Sequence, residues 1–487
     1  GNIRGLGVFD FPDVAKEFLV QFSKQNLNGL DQVIGTAKKK RKELMLHQSL
    51  ALENWRSSGK RGILKHATGS GKTITAVGAI KEHINQGMPV LVLVPSKLLL
   101  EQWYEAINQE IEEVLILRCG GGHVNWKKTQ NLRQMFYTVT DGDLGGIVIA
   151  INDTASSSNF LNSLVNLKNT LLVVDEAHAL GSSKNSHLML KDFGFRLGLS
   201  ATPERYRDEE GTEKLFNFFN GVIQPEVTLL DALKSGRLVP YDYYPILTEL
   251  TAEEEADWVK ITNKIINYIR ARDINTQKIK SDKVLSSMLI NRSRIAKKAR
   301  SKVDAVVNTL SHFFLDGQHW LVYCEDSSQL YEINDKLISL GINPLIYVSE
   351  MSGSPKDELE AFSSQGGVLL SIRCLDEGVD IPKISHAIIA ASSQNPRQFI
   401  QRRGRVLRKA EGKLSAVIYD CIVVPCDTSN ETKFDGLILS EATRSIQFAR
   451  TARNAAASES TLRKILINIG SDPDELILEI DGDSEND

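Results

Sequence analysis

The chain has 487 residues, 42 % of them hydrophobic and 24 % charged. That composition is ordinary for a globular protein, is long enough for about three folding units of roughly 150 residues each, and excludes a collagen, a wholly disordered chain or a membrane bundle. The formal charge is −3, but residues 471–487 alone hold eight acids, and the body without them carries +5, which permits nucleic-acid binding without requiring it. Cys119, Cys324, Cys374, Cys421 and Cys426 show no C-x-x-C spacing and mostly lie in apolar runs. They read as reduced core thiols of a cytoplasmic protein rather than as disulfides or a zinc site. No apolar run approaches the roughly 18 residues of a membrane span, and no secretion leader follows Gly1.

In chain order, residues 1–43 form a leading segment. Its basic run, Lys38-Lys39-Lys40-Arg41-Lys42, reads as solvated charge in preference to a nuclear address or a nucleic-acid contact. From 44 to 225, β-branched runs alternate with helical periodicity, and 62–64, 89–94, 114–117, 146–151, 170–174 and 196–199 read as parallel strands. Residues 226–302 read as a helical connector, with Trp258, Ile261, Ile265, Ile266 and Ile269 at helical spacing. Its end carries Lys278, Lys280, Lys283, Arg292, Arg294, Lys297, Lys298, Arg300 and Lys302 against the single acid Asp282, either a solvated face or a phosphate-contacting stripe. A second α/β domain spans 303–430, with strands at 320–323, 344–348, 368–372, 386–390 and 416–419. Residues 431–487 read as a helix near 440–454 followed by a tail too acidic to hold a core.

Two motifs carry chemistry. His66-Ala67-Thr68-Gly69-Ser70-Gly71-Lys72-Thr73 follows a strand and opens a helix. Glycines let the backbone approach a phosphate, successive N–H groups cradle it, Lys72 reaches the β and γ phosphates, and Thr73 can hold Mg²⁺. The general pattern has Gly where His66 stands. About 100 residues on, an apolar strand runs into Asp175-Glu176-Ala177-His178. That order puts two carboxylates at the sheet's carboxyl edge, Asp175 for Mg²⁺ and Glu176 for the attacking water.

With these motifs in order, the sequence resembles a superfamily 2 DEAD/DEAH-box helicase or translocase, in the type III restriction-enzyme helicase-like branch. The resemblance covers about residues 43–425. It implies two tandem RecA-like parallel-sheet domains, α/β in class, joined by the helical connector and followed by the C-terminal helix and acidic tail. It also implies ATP and Mg²⁺ as cofactors. Gln48, in Leu46-His47-Gln48, matches the residue placed against adenine, and Thr68, Gly69, Ser70, Gly71, Lys72 and Thr73 the phosphate cradle. Ser200-Ala201-Thr202 resembles the coupling motif, with His178 beside it. Ser96 and Lys97 resemble the first nucleic-acid contact and Thr154 another; Arg373 and 349–352 are further candidates. Gly378 and Asp380 sit in a fifth motif and Gln401 in a sixth, whose Arg405 and Arg408 match the arginines that face the triphosphate.

The resulting expectation is a nucleic-acid-stimulated ATPase translocating on DNA, duplex more than single-stranded, as the motor of a restriction, anti-phage or repair system, with a nuclease or other defence subunit as partner. Two rivals stay open: an RNA helicase or RNA-sensing ATPase, and an ATP-gated clamp that does not move. Gly120-Gly121-Gly122-His123 reads as a plain turn in preference to a contact loop, and His312 and His319 lack partners at metal-ligand spacing.

Overall fold

The computed structural model describes residues 30–32, 43–128, 130–137, 144–182, 185–205, 208–272, 282–348, 355–372, 381–391, 396–426, 434–468 and 472–474. The chain divides into two compact units, the first ending at Ala232 and the second beginning at Leu233.

The first unit is built on an eight-stranded sheet. In chain order its elements are β1 (Leu30–Gln32), α1 (Leu46–Ser57), β2 (Arg61–His66), α2 (Lys72–Ile84), β3 (Val90–Val94), α3 (Lys97–Glu110), β4 (Leu115–Cys119), β5 (Ile147–Ile151), β6 (Leu171–Asp175), β7 (Phe195–Ser200), α4 (Glu209–Phe219) and β8 (Val222–Val227). The strands lie in the order β1-β4-β5-β3-β6-β7-β2-β8, and every pairing is parallel except β1 with β4. The central strands are nearly continuous apolar runs because helices cover both faces. Val90, Val92 and Val94 pack with Trp55, Ile80 and Trp103 on one side, while Leu91 and Leu93 pack with Phe160, Leu215 and Phe219 on the other. β7 pairs with β2 on one side and β6 on the other, so three neighbouring carboxyl ends deliver the phosphate loop, Ser200 and Asp175 to one edge.

The second unit comprises β9 (Tyr241–Glu249), α5 (Ala252–Arg272), α6 (Lys283–Lys297), α7 (Arg300–Phe313), β10 (His319–Cys324), α8 (Ser327–Ser339), β11 (Leu345–Tyr347), α9 (Pro355–Gln365), β12 (Gly367–Ile372), β13 (His386–Ile389), α10 (Pro396–Val406), β14 (Ala416–Val424), α11 (Asp435–Ala449) and α12 (Ala455–Asn468). Its six strands, ordered β11-β12-β10-β13-β14-β9, are all parallel. Both units are RecA-like α/β sheets with crossover helices.

Three features differ from the sequence reading. β8 and β9 were not anticipated, and residues 241–249 lie inside the segment read as a helical connector. Each carries a proline, Pro225 or Pro245, which reads as a strand breaker; each is an edge strand, where a missing N–H costs no ladder bond. The C-terminal helix is two helices, and the break between them serves the edge of β9. Asn454 donates to the Tyr243 carbonyl and accepts from its N–H, both at 2.9 Å, while the Arg453 N–H reaches the Tyr241 carbonyl at 2.7 Å. These bonds occupy an edge that would otherwise invite pairing with another chain.

The third difference concerns the basic run at the end of the connector. Distant acids pair with three of its described members: Lys297 with Glu325 at 3.6 Å, Lys298 with Asp326 at 2.7 Å and Arg300 with Glu253 at 3.3 Å. Arg292 stacks on Trp258 with its guanidinium 5.0 Å from the ring centre. Lys302 is buried, and burial lowers its pKa from the ordinary lysine value. It borders a network in which Arg444 bonds Asp420 at 3.0 Å and Glu441 at 2.7 Å, and Tyr243 donates to Asp420 at 2.9 Å. Burial pushes the Glu441 carboxyl up, but Arg444 and Lys302 outweigh it and hold the group below its usual value. The network fixes α11 to β14 and β9. Lys38–Lys42, Lys278 and Lys280 lie outside the described residues. None of the described helices is long and apolar enough to cross a membrane.

Candidate ATP-hydrolysis site and nucleic-acid interface

β2 ends at His66, and the chain turns through Thr68, Gly69 and Ser70 into α2. Gly71 is the N-cap residue, in the left-handed region at φ 88°. A side chain there is doubly excluded, because an added Cβ would fall 2.4 Å from Gln48 Nε2. Lys72 folds back over the loop, its Nζ donating to the His66 carbonyl at 2.8 Å and to that of Ala67 at 3.4 Å. Thr73 follows in the first turn of α2. Ser70 is 1 % exposed and its Oγ has no hydrogen-bond partner among the described residues. An orphaned buried hydroxyl within a glycine-lined helix N-terminus fits an anionic oxygen as its partner.

The start of α1 braces this loop. His47 Nε2 donates to the Ser70 carbonyl at 3.2 Å, and Gln48 Nε2 to the Gly71 carbonyl at 3.1 Å. The other end of the Gln48 amide accepts from the Met45 N–H at 2.8 Å, a helix-capping bond. Gln48 is 1 % exposed, and these bonds use one of its two N–H donors and one of its oxygen's lone pairs. His66, standing where the pattern has glycine, bonds to β8, Nε2 donating to the Pro225 carbonyl at 3.0 Å, with its ring centre 5.5 Å from that of His47. Its backbone is ordinary strand, so glycine is not needed there.

The carboxylates sit at the end of β6. Asp175 is 8 % exposed, and its Oδ2 accepts from the indole N–H of Trp103 at 2.8 Å. Trp103 lies on α3, seventy-two residues away in sequence, in the segment that resembles the first nucleic-acid contact motif, and nothing in the sequence signals that it reaches the carboxylates. Glu176 adopts the left-handed region at φ 48°, ψ 56°, a strained backbone for a residue with a side chain. Its Oε2 lies 3.4 Å from His178 Nδ1, which lies 3.5 Å from Ser200 Oγ. Ser200 Oγ in turn accepts from the Thr202 N–H at 3.1 Å. The expected coupling residues therefore form one chain of contacts with Glu176.

Ser96 caps α3, accepting from the Leu99 N–H at 3.3 Å, and leaves Lys97 exposed at the helix start. The Gly120–His123 segment is a tight turn, closed by reciprocal backbone bonds of 3.2 and 3.0 Å. It packs on two expected contact residues: a Cβ at Gly120 would fall 2.4 Å from Thr154 Oγ1, and one at Gly121 2.8 Å from Lys97 Cγ. Glu101 holds this corner, bonding His123 at 2.8 Å and Arg118 at 2.7 Å. Burial pushes the Glu101 carboxyl up, but those two partners hold it below its usual value. Lys97, Thr154 and the triglycine turn thus share one surface.

In the second unit the arginines of α10 divide by environment. Arg402 donates to the Ala391 carbonyl and stacks 4.6 Å from the Tyr323 ring centre; Arg403 donates to the Gln447 carbonyl at 2.9 Å and lies over Phe448. Both are buried, as is Gln401, whereas Arg405 and Arg408 are partly exposed. Lys413 staples the end of this helix, donating to the carbonyls of Val406 at 2.6 Å and Arg408 at 2.8 Å. Burial, with a smaller contribution from Arg408, brings its pKa down to about 8. Gly378, Asp380, Arg373 and residues 349–352 lie outside the described residues.

Two family models match the chain: the type III restriction enzyme, res subunit, over residues 41–205, and the helicase conserved C-terminal domain over residues 301–410. The chain belongs to the superfamily 2 helicases, in their type III restriction-like branch. It is therefore an ATP-hydrolysing enzyme of the helicase or translocase type. This helicase is 26 % identical over 420 residues to the DNA 3'-5' translocase XPB2 of Sulfurisphaera tokodaii, covering 83 % of this chain and 87 % of that protein. It is 24 % identical over 394 residues to a protein named helicase 22 of Sulfolobus islandicus filamentous virus, covering 78 % of this chain and 64 % of the viral protein. Its fold matches the ATP-dependent Type ISP restriction-modification enzyme LlaBIII bound to DNA, with a TM-score of 0.59 at 15 % identity, over 85 % of this chain and 31 % of that one.

Proposed function

We propose that this helicase is a DNA translocase, active on duplex DNA and driven by Mg²⁺-dependent ATP hydrolysis. The observation that carries this reading is a contact chain within the first unit. Its α3 brings Lys97 to the surface that Thr154 and the triglycine turn share, and the same helix carries Trp103 to Asp175. A motor needs such a link between its track and its hydrolytic carboxylates. The similarity to a protein named as a DNA translocase supports DNA over RNA.

In this reading Lys72 and the N–H groups of the loop bind the phosphates, with the Ser70 hydroxyl directed into the same cradle. Thr73 and Asp175 would hold Mg²⁺, hard oxygen donors suited to a hard ion. When bound, the ion neutralises charge on the β and γ phosphates. Glu176, its carboxylate placed by His178, orients and deprotonates the attacking water. Arg405 and Arg408 add positive charge to the transferring phosphoryl group, a contribution that can reach about 10³ to 10⁵ in rate. Contacts at Lys97 and Thr154 go mainly to phosphates, which makes stepping largely independent of base sequence. A cytoplasmic setting is part of the proposal, in keeping with Cys119, Cys324, Cys421 and Cys426, which are free thiols among the described residues. A restriction or anti-phage role, with a nuclease or other defence subunit as partner, is the finer part of the proposal, supported by the match of residues 41–205 to the type III restriction enzyme, res subunit.

Displacement of a third strand from duplex DNA tests translocation. An ATP-dependent release that Lys72→Ala abolishes is expected. ATP-dependent binding without release indicates a clamp, and activity on RNA alone indicates an RNA helicase; either overturns the proposal.

A further inference from the structure

Asn185 lies between the two halves of the first unit's site, and no role assigned so far uses it. The residue is 9 % exposed. Its Oδ1 accepts from Ser156 Oγ at 3.0 Å, and its Nδ2 donates to the Ala179 carbonyl at 3.1 Å.

Each partner belongs to a different functional segment. Ser156 closes the short helix Asn152–Ala155 that carries Thr154, its N–H donating to the Asn152 carbonyl at 2.9 Å. The next residue, Ser157, returns its hydroxyl to the Thr154 carbonyl at 2.7 Å. Ala179 lies in the turn Ala177–Gly181 directly after Glu176, and its N–H donates to the Glu176 carbonyl at 2.9 Å. His178, which touches both Glu176 and Ser200, is the neighbouring residue of that turn. The loop that bears Asn185 is itself fastened there, because Ser182 Oγ donates to the Ala179 carbonyl at 2.9 Å and the Asn185 N–H to the Ser182 carbonyl at 3.0 Å.

We infer that Asn185 is a positioning residue that carries nucleic-acid contact at Thr154 to the Glu176–His178 turn, and so raises hydrolysis when the track is occupied. The inference rests on the proposal that Thr154 contacts nucleic acid. An amide suits the role because one side chain presents an acceptor and a donor of fixed polarity, meeting a hydroxyl on one side and a carbonyl on the other. Burial of the amide gives the bridge its stiffness: Asn185 is enclosed and its two partners are half-buried, so a shift of the Thr154 helix is passed on more readily than through a surface pair. Asn185 does not reach the phosphate loop in these bonds, so its effect falls on turnover rather than on ATP binding.

The test compares wild type with Asn185→Ala, Asn185→Asp and Ser156→Ala. Asn185→Asp keeps the size and the acceptor for Ser156 but sets a carboxylate oxygen against the Ala179 carbonyl. For each, hydrolysis is measured without nucleic acid and with saturating duplex DNA, single-stranded DNA or RNA, together with DNA affinity by anisotropy and the melting temperature. We expect DNA-stimulated kcat to fall about tenfold in all three, with KM for ATP and DNA affinity within about twofold. The Ser156→Ala/Asn185→Ala double variant should be no worse than the more affected single variant, since both cut one path. Full stimulation in the Asn185 variants overturns the bridge. So does an equal fall of unstimulated and stimulated rates alongside a lower melting temperature, which marks a merely structural role. If wild type itself responds to no nucleic acid, the translocase proposal fails and the bridge with it; a responsive wild type with equally responsive variants removes the bridge alone.

Discussion

Replacing Trp103 with phenylalanine removes one N–H donor and keeps most of the ring in its pocket. The lost bond is 2.8 Å long and joins a residue 1 % exposed to a carboxylate 8 % exposed, so water cannot easily replace the indole. A buried hydrogen bond to a charged group contributes about 1.5–3 kcal/mol. For a domain of this size, that converts to a fall in melting temperature of about 3–12 °C. If the bond also holds Asp175 in its catalytic orientation, kcat falls about 10- to 100-fold, at roughly 1.4 kcal/mol per decade. KM for ATP should move little, because the bonds of the phosphate loop to His47, Gln48 and Lys72 are untouched. The assay is steady-state hydrolysis at saturating nucleic acid, with melting followed by calorimetry. A kcat within twofold of wild type would show that Asp175 is oriented without Trp103.

Three further outcomes are expected. Glu176→Gln should bind ATP with near-normal affinity but turn over at least 100-fold more slowly, checked by equilibrium binding beside steady-state rates; loss of binding would contradict a water-orienting role. Arg444→Ala strands two buried carboxylates, Asp420 and Glu441, and should cost about 3–5 kcal/mol in denaturant unfolding, whereas a loss under about 1 kcal/mol would contradict the network. Burial brings the pKa of both His83 and His386 down to about 4 from the ordinary 6.5. Between those values the unfolded chain binds protons that the folded chain refuses, so stability should fall as pH drops from about 6.5 towards 4. A His83→Gln/His386→Gln variant should show a shallower fall, and an unchanged slope between pH 7 and 5 would contradict it.

Much of the fold is legible in the sequence, because continuous apolar runs such as Val90–Val94 can be satisfied only as strands covered on both faces. The edge strands are not, since Pro225 and Pro245 look like breakers until the unpaired side of the strand is known. The order of motifs brings Lys72, Asp175, Glu176, Ser200 and Thr202 to one sheet edge, but what braces them is long-range. Trp103 and Asp175 are seventy-two residues apart, and Ser156 and Asn185 twenty-nine. Local charge counting also misleads: three members of the basic stripe near Arg300 pair with Glu253, Glu325 and Asp326, which adjoin it only in the folded chain. The same holds in α10, where composition cannot say that Arg402 and Arg403 turn inward while Arg405 and Arg408 remain partly exposed.

The central claim is that nucleic acid drives hydrolysis at the Lys72–Glu176 site. Its most direct test is the rate of ATP hydrolysis by the purified chain, alone and with duplex DNA, with Lys72→Ala as the blank. The account predicts slow hydrolysis alone, strong stimulation by duplex DNA, and neither in Lys72→Ala. Hydrolysis that no nucleic acid stimulates, or that survives the loss of Lys72, would contradict it.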